Sequence, residues 1–159
     1  MIYDPTVDHF PIVEFTRRAF TDHAGVFHPA VAYPAEWVPT RLPPLKRVLE
    51  TIRHEAGDHP VTVLCGYRDE AYNTYLRERG LRGENHSTGV AVHSQHEEGR
   101  AADIMIYGMG AHVLHRLIAE LFETEKLPEL GGLGIYDLLG FVHIDTYRLA
   151  TGVLRRWGG

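Results

Sequence analysis

Residues 131–145 read GGLGIYDLLGFVHID. Two short apolar runs, 133–136 and 141–145, flank the link Asp137-Leu138-Leu139-Gly140, and they predict two strands joined by a tight turn. Because side chains alternate between the two faces of a strand, His143 and Asp145 are predicted to share one face of the second strand. The stretch therefore predicts a small sheet that carries polar groups on one side.

The remaining segments predict the elements around these strands. Pro43-Pro44 opens an apolar pattern with the three-and-four spacing of an amphipathic helix, which ends at Gly57. Further strands are predicted at 61–65 and 101–107, helices at 69–80 and 112–126, and a long loop at 81–95. We expect an α+β fold in which helices pack on a small, mostly antiparallel sheet.

The first forty residues are rich in proline and aromatic residues, and they predict an irregular N-terminal wrapping segment with at most a short helix at 16–20. The length of 159 residues suits one ordinary globular domain, so we expect a single domain over 1–159 with one active site.

The composition excludes several classes of partner. A net charge of -5, spread along the chain, shows no basic stripe for nucleic acid and no polybasic segment for an anionic membrane. No apolar window is long enough for a membrane span, and the first twenty residues lack the pattern of a signal peptide. The chain as written is expected to be cytoplasmic, or to reach the periplasm or exterior by another route such as phage lysis, or as a trimmed mature form. The oligomeric state stays open.

The first group of residues with chemical meaning lies in 94–104, SQHEEGRAADI. His96 ends the long loop, and Asp103 follows seven residues later inside an apolar strand. A carboxylate in such a strand is costly to bury unless it is paired or binds a metal. Asp103 is thus either a metal ligand, with His96, or a buried carboxylate that caps backbone or pairs with an arginine.

His143 would complete a set of two imidazoles and one carboxylate. This set leaves a fourth position open for water, which is the composition of a catalytic zinc site. Eleven histidines in the chain favour a metal site without locating it. The same set also occurs in non-haem iron oxygenases, and His143-x-Asp145 has their short spacing. However, no histidine follows His143, whereas those enzymes usually take a second histidine downstream.

With these residues in place, the chain resembles the zinc D-alanyl-D-alanine carboxypeptidases and related peptidoglycan endopeptidases, which share their fold with the hedgehog signalling domain. The resemblance covers residues 45–157. It depends on five blocks in order: Gly66-Tyr67-Arg68 with Asn73, Ser94-x-His96-x-x-Gly99-Arg100-Ala101-x-Asp103, Gly131-Gly132-Leu133-Gly134-x-Tyr136, Phe141-Val142-His143-x-Asp145, and Arg156-Trp157.

The resemblance implies that His96, Asp103 and His143 bind zinc, that Arg68 grips a substrate carboxylate as a catalytic and substrate-binding residue, and that Ser94 also binds substrate. A guanidinium suits this task because it can meet a carboxylate in bidentate fashion. The implied activity is hydrolysis of a peptide bond in a peptidoglycan stem peptide, as a D-Ala-D-Ala carboxypeptidase or a cross-link endopeptidase. The alternative is a zinc-containing binding domain without catalysis.

The general base is open at the level of sequence. Several relatives carry an acidic residue three positions before the last zinc-binding histidine, where this chain has Gly140. Asp145 is the preferred substitute and is predicted as catalytic, although it could instead orient a ligand imidazole or be a metal ligand itself. Glu98 and His93 are weaker candidates for the base.

Overall fold

The computed structural model describes residues 7–81 and 90–158. Within them, three α-helices occupy Leu42–Glu55 (α1), Glu70–Leu81 (α2) and Ala111–Glu123 (α3). The strands β1 to β7 occupy, in chain order, Phe20–Thr21, Phe27–His28, Val61–Cys65, Ala101–Ile106, Gly132–Tyr136, Phe141–Asp145 and Arg155–Trp157. Short 3-10 helices lie at Ile12–Phe15, Ala35–Trp37 and Asp137–Leu139.

Helix α1 follows directly from its sequence. Prolines occupy its first positions, where a missing N–H costs nothing because the first helical N–H groups have no partner inside the helix. Leu45, Val48, Leu49 and Ile52 form its buried stripe. Gly57 follows the helix with a φ of 78°, a conformation that other residues adopt with strain. The predicted helix is confirmed, and it begins slightly earlier than the pattern indicated.

The main sheet has the strand order β3-β4-β6-β5-β7. Its first four strands pair antiparallel, while β7 runs parallel to β5. The predicted α+β class with a mostly antiparallel sheet is confirmed. Strand β7 was not predicted, because its three residues carry no alternating apolar pattern and depend on pairing with a strand some twenty residues earlier in the chain.

The sheet has one apolar and one polar face. Ala102, Ile104, Leu133, Val142 and Ile144 have no exposed surface and belong to the same buried cluster as the apolar stripes of α1 and α3. Burying a large aliphatic side chain contributes about 1.5–3 kcal/mol. This packing fixes the three central strands, so the alternate residues on the opposite face are held in a fixed register.

The N-terminal segment differs from its prediction in detail. A helix at 16–20 is wrong: Ile12–Phe15 forms a 3-10 turn, after which Arg17 pairs with Val31 in an isolated bridge. Strands β1 and β2 then form a short hairpin. Backbone pairing with a distant residue overrides the weak local preference for helix. The assignment of 1–159 to one domain stays a prediction.

The long loop predicted at 81–95, in which the sequence leaves His86 as a histidine that could approach the site, falls partly on residues 82–89, which lie outside the described residues. Residues 90–95 carry no helix or strand. Among the helices of the described residues, none has the length and apolar character needed to cross a membrane.

Candidate metal centre and active site

A row of cross-strand neighbours runs over the polar face of the sheet. In register, Cys65 on β3 faces Asp103 on β4, Asp103 faces His143 on β6, and His143 faces Gly134 on β5. Trp157 on β7 completes the row beside Gly134. Residues directly opposite in an antiparallel pair place their side chains on the same face, so the sheet itself brings the Asp103 carboxylate to the His143 imidazole.

His96 reaches the same point from the turn before β4. Ser94 begins this turn: its backbone N–H donates to the Glu97 carboxylate at 2.9 Å, and its hydroxyl accepts from the backbone N–H of His96 at 3.3 Å. Gly99 closes the turn with a φ of 66° and returns the chain into β4. The structure thus brings the imidazole and the carboxylate seven residues later to one place.

Three donor atoms form a nearly equilateral triangle. Nε2 of His96 lies 3.1 Å from Oδ1 of Asp103 and 3.1 Å from Nδ1 of His143, and that Nδ1 lies 3.0 Å from the same Oδ1. Ligands about 2.0–2.1 Å from a tetrahedral zinc ion lie roughly 3.3 Å from one another. The spacing therefore suits three ligands of one small cation.

The other nitrogen of each imidazole is bonded to an acceptor. Nδ1 of His96 lies 2.7 Å from the Gly66 carbonyl oxygen, and Nε2 of His143 lies 3.2 Å from Oδ2 of Asp145. Because both acceptors require an N–H, the nitrogens that face Asp103 carry lone pairs when the rings are neutral. Three lone pairs 3.0–3.1 Å apart repel unless positive charge lies between them.

The pKa shifts of two of the three groups, Asp103 and His143, reflect this demand for positive charge. Burial lowers the pKa of His96 to about 4. Burial alone would raise the pKa of Asp103, but the charge of His96 and the hydrogen bonds from both imidazoles hold it well below its usual value. Burial would lower the pKa of His143, yet its hydrogen bonds to Asp103 and Asp145 raise it. A proton on His143 is the substitute that the protein itself can supply for a cation.

Cys65 offers an alternative donor set, since its sulfur lies within 4.8 Å of donor atoms of His96 and Asp103. We favour the set with His143 for two reasons. Its three contacts are all 3.0–3.1 Å, and burial raises the pKa of the Cys65 thiol to about 12, which disfavours the thiolate that binds metals. The position of Cys65 in the apolar run 61–65 predicts a small buried hydrophobe, but its sulfur adjoins the polar site.

Asp145 is fully buried, and both of its carboxylate oxygens have partners. Oδ2 accepts from His143, while Oδ1 accepts from the Tyr147 backbone N–H at 3.0 Å and from the Arg155 guanidinium. A general base needs access to water or substrate. These contacts favour the orienting role that the sequence left open over the role of base.

The site opens into a cavity of about 450 Å³. One wall carries the predicted substrate residues: Arg68, only 9% exposed, donates to the Ser94 hydroxyl at 3.0 Å, and its Nε has no hydrogen-bond partner. No carboxylate pairs with Arg68 anywhere in 7–81 or 90–158. Apolar and aromatic side chains line much of the rest: Leu64, Tyr72, Leu76, Tyr136, Leu139, Phe141 and Trp157.

The other candidates for the base differ in the cavities that they line. His93 is exposed and lines both this cavity and an adjoining one of about 320 Å³. Glu98 lines only the second cavity and forms a 2.9 Å ion pair with Arg41. Gly140, at the position where relatives were expected to carry an acid, adopts a left-handed conformation with a φ of 74° at the end of a 3-10 turn.

Two site residues were missed or undervalued at the level of sequence. Arg155 received no role, and Trp157 entered only as part of the last sequence block. In the structure Arg155 binds Asp145, and the Trp157 ring lies 5.0 Å from the His143 ring. The available signal was the alternation of Gly132 and Gly134, because glycine within a strand often marks the close approach of another group.

The comparisons with known proteins agree with this geometry. A family model described as peptidoglycan L,D-endopeptidase MepK (Peptidase_M15_2) matches residues 40–157. The chain is 34% identical over 99 residues to the probable peptidoglycan L,D-endopeptidase MepK of Haemophilus influenzae, and 34% identical over 98 residues to peptidoglycan L,D-endopeptidase MepK of Escherichia coli K12. Each match covers 62% of this chain and 43% of the relative.

The chain thus aligns with less than half of the length of these curated relatives. No solved structure matches it significantly. The family match nevertheless includes every strand of the main sheet and all three donors of the triangle. The resemblance inferred from the five sequence blocks is confirmed, and the chain belongs to the Peptidase_M15_2 family of peptidases.

Proposed function

We propose that this protein is a zinc-dependent peptidase that cleaves a peptide bond in the stem peptides of peptidoglycan. The observation that carries the proposal is the convergence of His96, Asp103 and His143 at 3.0–3.1 Å, with the remaining nitrogen of each imidazole bonded to an acceptor. This is the arrangement in which histidine ligands of catalytic metals are usually found. The names of the relatives support the substrate class.

His96, Asp103 and His143 would hold the zinc ion. When bound, zinc lowers the pKa of a water ligand and polarises a carbonyl group. The three protein donors leave the cavity side free, as a catalytic site requires. The Gly66 carbonyl fixes one imidazole and Asp145 fixes the other, so both rings are set before any ion arrives.

Arg68 would bind a carboxylate of the substrate. Its guanidinium lines the same cavity as the donors, bonds only to the neutral Ser94 hydroxyl among the described residues, and has an unpartnered Nε. A buried cation without a counter-charge attracts an anionic group of a ligand. The Ser94 hydroxyl fixes the direction of the guanidinium and can itself donate to the ligand.

We assign the proton transfer to His93 and an orienting role to Asp145. His93 lines the cavity, is exposed, and makes no hydrogen bond within the parts of the chain that the structure describes. Imidazole is the commonest general acid-base group in enzymes. Its Nδ1 or Nε2 would accept a proton during attack and return it to the leaving amine. Glu98 is held by Arg41, and both oxygens of Asp145 are occupied.

An endopeptidase is favoured over a carboxypeptidase. An endopeptidase must hold peptide on both sides of the cleaved bond, and the two adjoining cavities, which share His93, Ser94 and Gln95, offer room for both. The relatives are named L,D-endopeptidases. A carboxypeptidase would need room for only a single terminal residue on the leaving-group side of the bond.

The decisive experiment is hydrolysis of purified cross-linked muropeptides, followed by chromatography and mass spectrometry, with and without a chelator. We expect cleavage of the cross-linked peptide that stops with the chelator and returns with zinc. Release of only a terminal D-Ala would replace the endopeptidase by a carboxypeptidase. Binding of the peptide without cleavage at full zinc occupancy would favour the non-catalytic domain, for which Gly140 in place of an acidic residue is the supporting observation.

A further inference from the structure

Strand β7 sends two side chains across its neighbour β5. In register, Gly132 lies between Arg155 on β7 and Asp145 on β6. A Cβ atom on Gly132 would lie 2.2 Å from Oδ2 of Asp145 and 2.9 Å from the Arg155 guanidinium. Gly134 gives the same kind of passage to Trp157, whose Nε1 would lie 2.4 Å from a Cβ there. Side chains on β5 would close both passages.

The gap above Gly132 lets Arg155 reach Asp145 and supply the positive charge that a buried carboxylate needs. Asp145 has no exposed surface, and a buried carboxylate is tolerated only when it is paired and hydrogen-bonded. Among the described residues, the permanent cation within ion-pair distance of Asp145 is Arg155. The same guanidinium nitrogen also donates to the Tyr147 carbonyl at 2.9 Å, which fixes its position from a second side.

Because Arg155 holds the Asp145 carboxylate in place, Asp145 in turn fixes the imidazole of His143. Its Oδ1 is held by Arg155 and the Tyr147 N–H, which leaves Oδ2 directed at Nε2 of His143. The opposite nitrogen of the same ring is the donor that faces Asp103. The direction of the His143 lone pair therefore depends on a side chain that forms no hydrogen bond with any of the three donors.

We propose that Arg155 is a positioning residue of the metal centre, which acts across Gly132 through Asp145 on His143. This inference rests on the proposed function, because it needs His143 to be a ligand. It differs from a general contribution to stability in one measurable way: loss of Arg155 weakens zinc binding by the folded protein, and it does so only while Asp145 is present.

The test compares zinc affinities, measured by competition with a chromophoric chelator, for Arg155→Gln and the matched control Arg156→Gln. Arg156 is the next residue on β7 and pairs with the exposed Glu123. We expect zinc affinity to fall about 10- to 100-fold in Arg155→Gln and to stay within about twofold in Arg156→Gln. Equal affinities in the two variants would overturn the inference.

A double-mutant cycle tests the route through Asp145. We expect Asp145→Asn with Arg155→Gln to bind zinc as Asp145→Asn alone does, because Arg155 has nothing left to position. Additive losses would overturn the inference. The double variant also removes the unpaired buried charge, so it remains informative where Arg155→Gln alone fails to fold. Arg155→Lys, which keeps the charge, should restore part of the affinity.

The visible spectrum of the cobalt-substituted protein reports the ligand geometry without any assay of activity. We expect this spectrum to change in Arg155→Gln and to match that of the cobalt-loaded wild-type protein in Arg156→Gln. An unchanged spectrum in Arg155→Gln would contradict a positioning role. Failure of the wild-type protein to bind zinc or cobalt would overturn the proposed metal centre, whereas normal metal binding by both the wild-type protein and Arg155→Gln would overturn this inference alone.

Discussion

Two arginines line the same cavity, and their surroundings differ. Arg68 and Arg155 each have an Nε without a hydrogen-bond partner. Arg68 bonds to the neutral Ser94 hydroxyl, whereas Arg155 forms an ion pair with the buried carboxylate of Asp145. One cation lacks a counter-charge among the described residues, and the other is neutralised by the protein. The contrast separates a group that can bind a substrate carboxylate from one that organises the site.

The largest effect on zinc content and hydrolysis should come from removing one of the three donors of the metal centre. We expect His96→Ala and His143→Ala to lose stoichiometric zinc, and their hydrolysis of cross-linked muropeptide to fall to the level of chelator-treated protein. Elemental analysis and the hydrolysis assay measure this. Full zinc content in both variants would show that the triangle of donors is not the metal site.

The stability of the metal-free protein should distinguish the two arginines next. Arg155→Gln leaves the buried carboxylate of Asp145 without its permanent cation, which costs about 3–5 kcal/mol. For a chain of this size, that corresponds to a fall in Tm of roughly 6–20 °C. Arg68→Gln loses one hydrogen bond but also removes a buried cation without a partner, so its change should stay within about 1 kcal/mol. Thermal unfolding followed by circular dichroism tests both, and equal losses would erase the comparison.

Substrate binding should depend on Arg68, the arginine whose loss has the smaller effect on stability. Arg68→Lys replaces a bidentate fork by a point charge, so kcat/KM should fall about 10- to 100-fold, mainly through KM, while zinc content stays unchanged. The matched substitution Arg156→Lys serves as the control, because Arg156 is exposed and faces Glu123. Unaltered kinetics in Arg68→Lys would mean that the free cation does not meet the substrate.

The smallest effect on zinc affinity should come from Cys65, whose sulfur lies near His96 and Asp103. Cys65→Ser keeps the size of the side chain but removes the soft sulfur ligand. We expect zinc affinity to change less than about threefold, because the triangle of donors does not include the sulfur. Loss of Asp145, which bonds to the ligand imidazole of His143, would change the affinity more. Chelator competition measures the difference. A loss larger than that of Arg155→Gln would place Cys65 among the ligands.

The sequence was sufficient where a local pattern carries the information. Apolar strands interrupted by Asp103 and His143 indicated polar groups on one face, and strand alternation placed Asp145 beside His143, as the 3.2 Å contact shows. It was insufficient where the answer depends on pairing between distant segments. Whether Asp145 is free or held depends on Arg155, and Arg155 comes within reach only because β7 pairs in parallel with β5.

The contact between Phe15 and Gly66 has a consequence for the limits of the functional unit. A Cβ on Gly66 would lie 2.7 Å from the Cα of Phe15, and the Phe15 carbonyl accepts from the N–H of Tyr67 at 3.0 Å. The same Gly66 carbonyl fixes His96. The family match begins at residue 40, yet a turn at Ile12–Phe15 braces a ligand of the proposed centre. If this domain were transferred into another protein, residues 12–40 would have to be transferred together with the residues that follow them.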